Sequence, residues 1–284
     1  MTSVTERDVD AVCALVDELC GIYWDESKAY LIHSRLSHLA ERHKCTDYAD
    51  LVRKVRAELK PCLKDEFIDA VTTNETLWFR DSSPFQALRY KILPELIDSK
   101  AGSAFSRRLR IWSAACSTGQ EPYSIAMTIA ETIPDVNQWD IQIVGTDISS
   151  AAVAQAKRGV YDALQIKRGL DPPQRAKYFT EQDNTWKVRD ELRAMCTFAQ
   201  RNLHEPFDAL GPFDIIFCRN VAIYFTEKDR RSLFERAAER LVPNGWIIVG
   251  SSESLGSLGP RWRPQQHCNA NCYRPNNCVE SASV

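Results

Sequence analysis

Arg110-Ile-Trp-Ser-Ala-Ala-Cys-Ser-Thr-Gly-Gln-Glu-Pro-Tyr-Ser124 runs from an apolar strand pattern, through a small-residue turn with one glycine, directly into a helix pattern. Such a unit brings backbone N–H groups and a helix N-terminus to the edge of a sheet where open α/β folds hold ligands. The G-x-G-x-x-G arrangement that cradles a pyrophosphate is missing. The turn therefore predicts a nucleotide-like ligand without phosphates, and S-adenosylmethionine is such a ligand.

Outward from this unit the pattern alternates. Strands are predicted at Leu109–Ala114, Ile141–Thr146, Met195–Gln200, Phe213–Cys218 and Gly245–Ser251, with helices at Pro122–Glu131, Ser149–Lys157 and Glu227–Leu241. Repeated βαβ units argue a doubly wound, mostly parallel sheet covered on both faces. The alternation breaks between Tyr161 and Arg193. There Tyr178-Phe-Thr180 and Trp186-Lys-Val-Arg189 flank a polar run and predict a small antiparallel insert at about 161–194.

The first eighty residues are different. Val9, Val12, Cys13, Val16, Leu19 and Cys20 recur at helical spacing, and further helices are predicted over Glu26–Arg42, Tyr48–Leu59 and from Cys62 toward Val71, with Pro61 as a break. The expected organisation is a helical domain over 1–80, a linker helix within 81–107, a ligand-binding α/β domain over 108–276 and a disordered tail over 277–284. The polar positions of the helical domain are basic, among them Lys28, Arg35, Arg42, Arg53, Lys54, Arg56, Lys60 and Lys64. This is either a solvated face or a docking surface for an acidic partner.

Bulk properties narrow the class. A formal net charge of −2 gives no signature of a nucleic-acid binder. No apolar run reaches the length of a membrane span and no signal-peptide layout opens the chain, so no membrane insertion and a cytoplasmic location are expected. Most of the 10 cysteines sit singly in apolar stretches, as small buried hydrophobes do. His267, Cys268, Cys272 and Cys278 lack the spacing of a zinc site, so no metal is expected and the tail reads as free thiols beside a strand.

Three groups of residues carry chemistry. Asp147 ends the second strand, where an acid accepts hydrogen bonds from ribose hydroxyls or caps the next helix. Asn202-Leu203 and Arg219-Asn220 follow later strands at the same edge, the asparagines as ligand contacts or turn formers. Thr72-Thr-Asn-Glu-Thr-Leu-Trp-Phe-Arg-Asp81 must end a helix, because Thr and Asn side chains compete for backbone hydrogen bonds. Arg80 is expected there as a cation set on Trp78 and Phe79, or else as a salt-bridge partner of Asp81.

Taken together and in order, Thr73-Asn-Glu-Thr with Phe79-Arg80, Trp112 to Ser124, Gly145-Thr-Asp-Ile148, Phe213 to Val221 with Ile223-Tyr-Phe225, and Gly250-Ser-Ser-Glu253 resemble the CheR family. These are the chemoreceptor glutamate O-methyltransferases of bacterial chemotaxis, and the resemblance spans about residues 9 to 275. It implies that Asn74, Thr76, Arg80, Glu121, Asp147, Asn202, Leu203, Arg219 and Asn220 line the S-adenosylmethionine site. It also implies that Arg80 and Tyr224 lie beside the transferred methyl, and that S-adenosylhomocysteine is the product. The implied partner is the helical cytoplasmic bundle of a chemoreceptor, met by the basic face around Arg53 and Arg56.

Two departures from the family pattern keep every polar group: Trp78 stands in place of Phe, and Ala222 in place of a larger aliphatic residue. The insert from Phe179 to Val188 is short and glycine-free, unlike the longer loop with which some members bind a receptor's C-terminal pentapeptide by strand addition. Two other readings are compatible with the residues: a methyltransferase for a different acceptor, and a cofactor-binding module without turnover. Arg80, Asn220 and Tyr224 argue against the last, since pure binding does not need groups beside the methyl.

Overall fold

The computed structural model describes residues 4–24, 28–57 and 62–276. The predicted helix start at Glu26, the helix end at Leu59, Lys60, Pro61, Cys278 and the tail over 277–284 lie outside them.

Four helices open the chain: α1 (Glu6–Cys20), α2 (Ala29–Arg42), α3 (Tyr48–Arg56) and α4 (Leu63–Val71). α1 starts on a capping box, with Thr5 and Asp8 satisfying each other's backbone N–H groups. Val12, Leu15 and Val16 of α1, Ile32 and Leu36 of α2, Leu51 of α3 and Phe67 of α4 form one closed core. Part of the basic face is paired within the bundle: Arg53 and Lys54 pair with Asp50, Arg56 with Glu18, and Arg42 with Glu66.

The predicted linker helix is α5 (Ser83–Ala87) continued through a π turn at Leu88–Ile92 into α6 (Leu93–Lys100). Pro94 explains the wider turn, because its ring would clash with the carbonyl one regular turn earlier. This helix is more than a connector, since Phe85, Leu88, Ile92 and Leu96 are buried in the core of the sheet domain.

Strands β1 (Arg108–Ala114), β2 (Asp140–Asp147), β3 (Val160–Asp162), β4 (Phe179–Gln182), β5 (Thr185–Val188), β6 (Cys196–Gln200), β7 (Phe213–Cys218), β8 (Leu241–Ile248), β9 (Trp262–His267) and β10 (Ala270–Pro275) form two sheets. The larger has order β6-β2-β1-β7-β8-β10-β9, with β6, β2, β1, β7 and β8 parallel and β10 antiparallel to β8. Alternate residues feed opposite cores. Leu109 and Ile111 of β1, Ile215 and Phe217 of β7 face α5, α6 and α7 (Gln120–Thr132), while Trp112, Ala114, Ile216 and Cys218 face α9 (Glu227–Glu239). α8 (Ser150–Arg158) follows β2.

Two details extend the sequence reading. The insert is a three-stranded sheet, β3-β5-β4, and its β4–β5 turn uses Asp183 and Asn184, both at positive φ. The polar C-terminal stretch is a hairpin that completes the large sheet. Cys268 and Asn269 form its turn at φ 53° and 59°, Cys272 is buried, and the His267 ring meets Trp246 edge-on.

Candidate functional site

The loop between β1 and α7 is an unusual piece of backbone. Ala115, Ser117 and Gly119 all have positive φ, at 58°, 50° and 96°. For the first two this is a sparsely populated region, held only because the surroundings over-determine it. Cys116 N–H donates to the Thr146 carbonyl at 2.9 Å, and Ser117 N–H to Asp147 Oδ2 at 2.8 Å. Ser117 Oγ donates to the Asn74 carbonyl at 2.9 Å. Gly119 is required twice over, because a Cβ there would also lie 2.8 Å from the Ala156 Cβ on α8.

Asp147 is not the cap of α8. Ser149 is, its hydroxyl accepting from Ala152 N–H, while Asp147 Oδ1 accepts from Ser149 N–H at 2.9 Å. The carboxylate thus holds the β1–α7 and β2–α8 loops together. Burial pushes its pKa up, opposed by these backbone N–H donors.

On the opposite side Arg219, directly after β7, is buried with a side-chain exposure of 1 %. Its Nη1 donates to Glu121 Oε2 at 2.7 Å, and its Nη2 to the Arg80 carbonyl at 2.6 Å and Asp81 Oδ2 at 3.1 Å. Ser113 Oγ donates to the other Glu121 oxygen at 2.7 Å. The salt bridge to Asp81 expected for Arg80 belongs to Arg219 instead, which also lies over the Phe85 ring at 5.7 Å. Arg80 Nη1 donates to the Glu75 carbonyl at 3.1 Å. Trp78 is fully buried, its Nε1 donating to the Gln165 carbonyl and its ring edge-on to Tyr161 and Phe179.

These walls enclose a cavity of about 670 Å³. Every residue that the resemblance assigns to the cofactor site or the transferred methyl borders it: Asn74, Thr76, Arg80, Glu121, Asp147, Asn202, Leu203, Arg219, Asn220 and Tyr224. Asn202 is also a turn former. Its Oδ1 accepts from His204 N–H at 3.0 Å and its Nδ2 donates to the Leu19 carbonyl of α1 at 2.9 Å.

What the sequence did not reveal is the wall supplied by the helical bundle. Ile22, Tyr23, Trp24, Lys28, Leu31 and Arg35 border the same cavity. Arg35 lies over Trp24 and donates to the Thr73 hydroxyl, and Tyr23 N–H donates to the Tyr224 carbonyl at 3.0 Å. Gly21-Ile-Tyr-Trp24, aromatic residues in a loop straight after a helix, is the one local hint of this wall.

The cavity wall combines carboxylates, guanidinium groups and asparagine side chains with apolar surface. Asp147 stands at the end of β2, and the Glu121 carboxylate and the Arg219 guanidinium stand together on the facing wall. The comparisons decide the family. The family model "CheR methyltransferase, SAM binding domain" matches residues 74–269, and "CheR methyltransferase, all-alpha domain" matches residues 7–72.

The chain belongs to the CheR methyltransferase family. It is 38% identical over 276 residues to chemotaxis protein methyltransferase 1 of Pseudomonas aeruginosa, covering 96% of this chain and 99% of that protein. Chemotaxis protein methyltransferase Cher2 of Pseudomonas putida is 39% identical over 268 residues, 93% of this chain and 96% of its own. Chemotaxis protein methyltransferase 1 of Vibrio cholerae is 40% identical over 279 residues, 95% of this chain and 97% of its own. As a CheR methyltransferase the chain uses S-adenosylmethionine as its cofactor. Among the described residues no helix is long and apolar enough to cross a membrane.

Proposed function

We propose that this chain transfers the methyl group of S-adenosylmethionine to glutamate side chains on the cytoplasmic helical bundle of chemoreceptors, forming methyl esters, and does so in the cytoplasm without a receptor pentapeptide. The observation that carries the reading is the convergence of Arg80, Asn220 and Tyr224 on a cavity walled by Asp147, Glu121 and Arg219.

The bound cofactor supplies an electrophilic methyl on a positive sulfonium. A glutamate side chain is already ionised near neutral pH, so the site needs no general base. The task of the protein is to align two reactants and exclude water while their charges cancel. Arg80 holds the acceptor carboxylate, and Tyr224, 39 % exposed at the mouth, hydrogen-bonds beside the reacting centre. Neither acts as a nucleophile. Asp147 accepts from the ribose, and Glu121 with Arg219 receives the amino-acid end, with Glu121 on the amino group. Asn74, Thr76, Asn202, Leu203 and Asn220 complete the cofactor wall. With the outer arginines of the bundle paired internally, Lys28 and Arg35 at the cavity are the cations best placed to meet an acidic partner.

Labelled methyl transfer to receptors in native membranes tests this reading. Base-labile label in a receptor band is the expected result. Label that survives base, or that appears only on small acids, would replace it with a different acceptor.

A further inference from the structure

Glu253, in the loop after β8, is 6 % exposed, and among the described residues its carboxylate forms no ion pair. All of its oxygen capacity goes to backbone N–H groups. Oε2 accepts from Gly250 at 2.7 Å and Asn220 at 2.7 Å, while Oε1 accepts from Val221 at 3.2 Å and Ala222 at 3.0 Å. Three of these donors are consecutive. They turn the same way because Asn220 has φ +57° and a 3₁₀ turn begins at Ala222. Such a cluster of N–H groups is an anion-binding concavity, and here the anion is part of the chain.

The clamp has its own support. Asn271 Nδ2, on β10, donates to the carbonyls of Gly250, Ser251 and Glu253 at 3.0, 3.2 and 2.9 Å. A Cβ at Gly250 would stand 2.7 Å from Glu253 Oε2 and 2.8 Å from Asn220 Nδ2, so the two loops approach as closely as glycine permits. A connected path therefore runs from β10, through the β8 loop, to the Asn220–Tyr224 loop on the cavity.

Burying a carboxylate without a cation is costly, and a stretch needing only to be filled would take an apolar side chain. The gain lies in what the clamp holds. Ile223 and Tyr224 are 47 % and 39 % exposed, so packing alone cannot fix the far end of the loop. A displacement of about 1 Å at a reacting group costs about 100-fold in rate.

We propose that Glu253, supported by Asn271, is a positioning residue for methyl transfer: it fixes the Asn220–Tyr224 loop at the reacting end of the cavity without touching either reactant. The proposal rests on the methyl-transfer reading above.

The test is a double-mutant cycle in the full chain, with methyl transfer to receptor membranes and calorimetry of S-adenosylhomocysteine as readouts. Glu253→Gln turns an amide NH₂ toward N–H donors. It is expected to lower kcat by about 100-fold and, because Asn220 of the same loop borders the cofactor cavity, to weaken S-adenosylhomocysteine by no more than about tenfold. In a Tyr224→Ala background the same change should cost no more than about twofold, the scatter of additivity. An unchanged kcat, or an equal loss in both backgrounds, overturns the proposal. If Glu253→Gln does not fold, Asn271→Ala decides by the same cycle, and full additivity with Tyr224→Ala sinks the idea. Absence of transfer by the unaltered chain would count instead against the methyl-transfer reading, and turnover with insensitive variants against this inference alone.

Discussion

Strand β7 has a buried ion pair at each end, and the two are built for different purposes. At its start Asp214 takes Lys100 Nζ at 2.6 Å and Arg110 N–H at 2.8 Å. Lys100 also donates to the Arg108 carbonyl, so this end ties α6 to the sheet and closes on itself. Just past its other end, Arg219 spans Glu121 and Asp81 and also holds the Arg80 carbonyl, and this cluster borders the cavity. Similar chemistry thus fastens one end of the sheet and prepares the other for a ligand. A buried charge pair by itself therefore says little about function; what it borders does.

The largest effect should come at the open end. Arg80→Ala is expected to lower methyl transfer by about 1000-fold or more, as loss of a group aligned in the transition state does, with affinity for S-adenosylhomocysteine nearly kept. Full activity in that variant would remove Arg80 from the mechanism. At the closed end Lys100→Met should cost about 3 kcal/mol in urea unfolding, because Asp214 loses its cation, while kcat per folded molecule stays the same. A loss of kcat without a loss of stability would erase the distinction between the two ends.

Asp147→Asn should weaken S-adenosylhomocysteine about 10- to 100-fold, the worth of charged hydrogen bonds to the ribose. Burial raises the pKa of Asp147, so as pH falls it takes up a proton earlier than an exposed aspartate. Affinity should therefore drop on the acid side at a pH above the ordinary value of 3.8, and the Asn variant should flatten that drop in calorimetric titrations. The smallest effect is expected away from both ends. A receptor C-terminal pentapeptide should give no measurable heat with the β3-β5-β4 sheet, and micromolar binding would reverse the reading of its short turn.

The sequence was most legible where local pattern and function coincide. The strand of Arg108–Ala114, its turn at Gly119 and the helix behind it are written in one contiguous stretch. Asp147 and Arg219 follow from their places at strand ends. The β9–β10 hairpin was obscured by Pro264, which cannot donate to a strand ladder, and by the polar Gln265 and Gln266, on a strand at the sheet's rim. The Trp24 wall depends on contacts across the whole chain and leaves no local period. Glu253 stands in a motif of the resemblance, but its contacts are hidden for another reason: its partners are peptide N–H groups, which every residue type except proline carries.

The helical bundle joins the sheet domain through hydrogen bonds at and beside the cavity. Asp69 of α4 accepts from the hydroxyls of Ser149 and Ser150 at 2.7 and 3.1 Å, Asn202 reaches Leu19, and Tyr23 reaches Tyr224. A cavity occupant touches both bodies at once, so its binding free energy acts on their junction as well as on either fold. Amide protons in α1 and α4 should then exchange more slowly when S-adenosylhomocysteine is bound, although neither helix supplies a residue from its interior to the cavity wall. Protection spreading that far would mean that loosening the bundle weakens product binding by the same free energy.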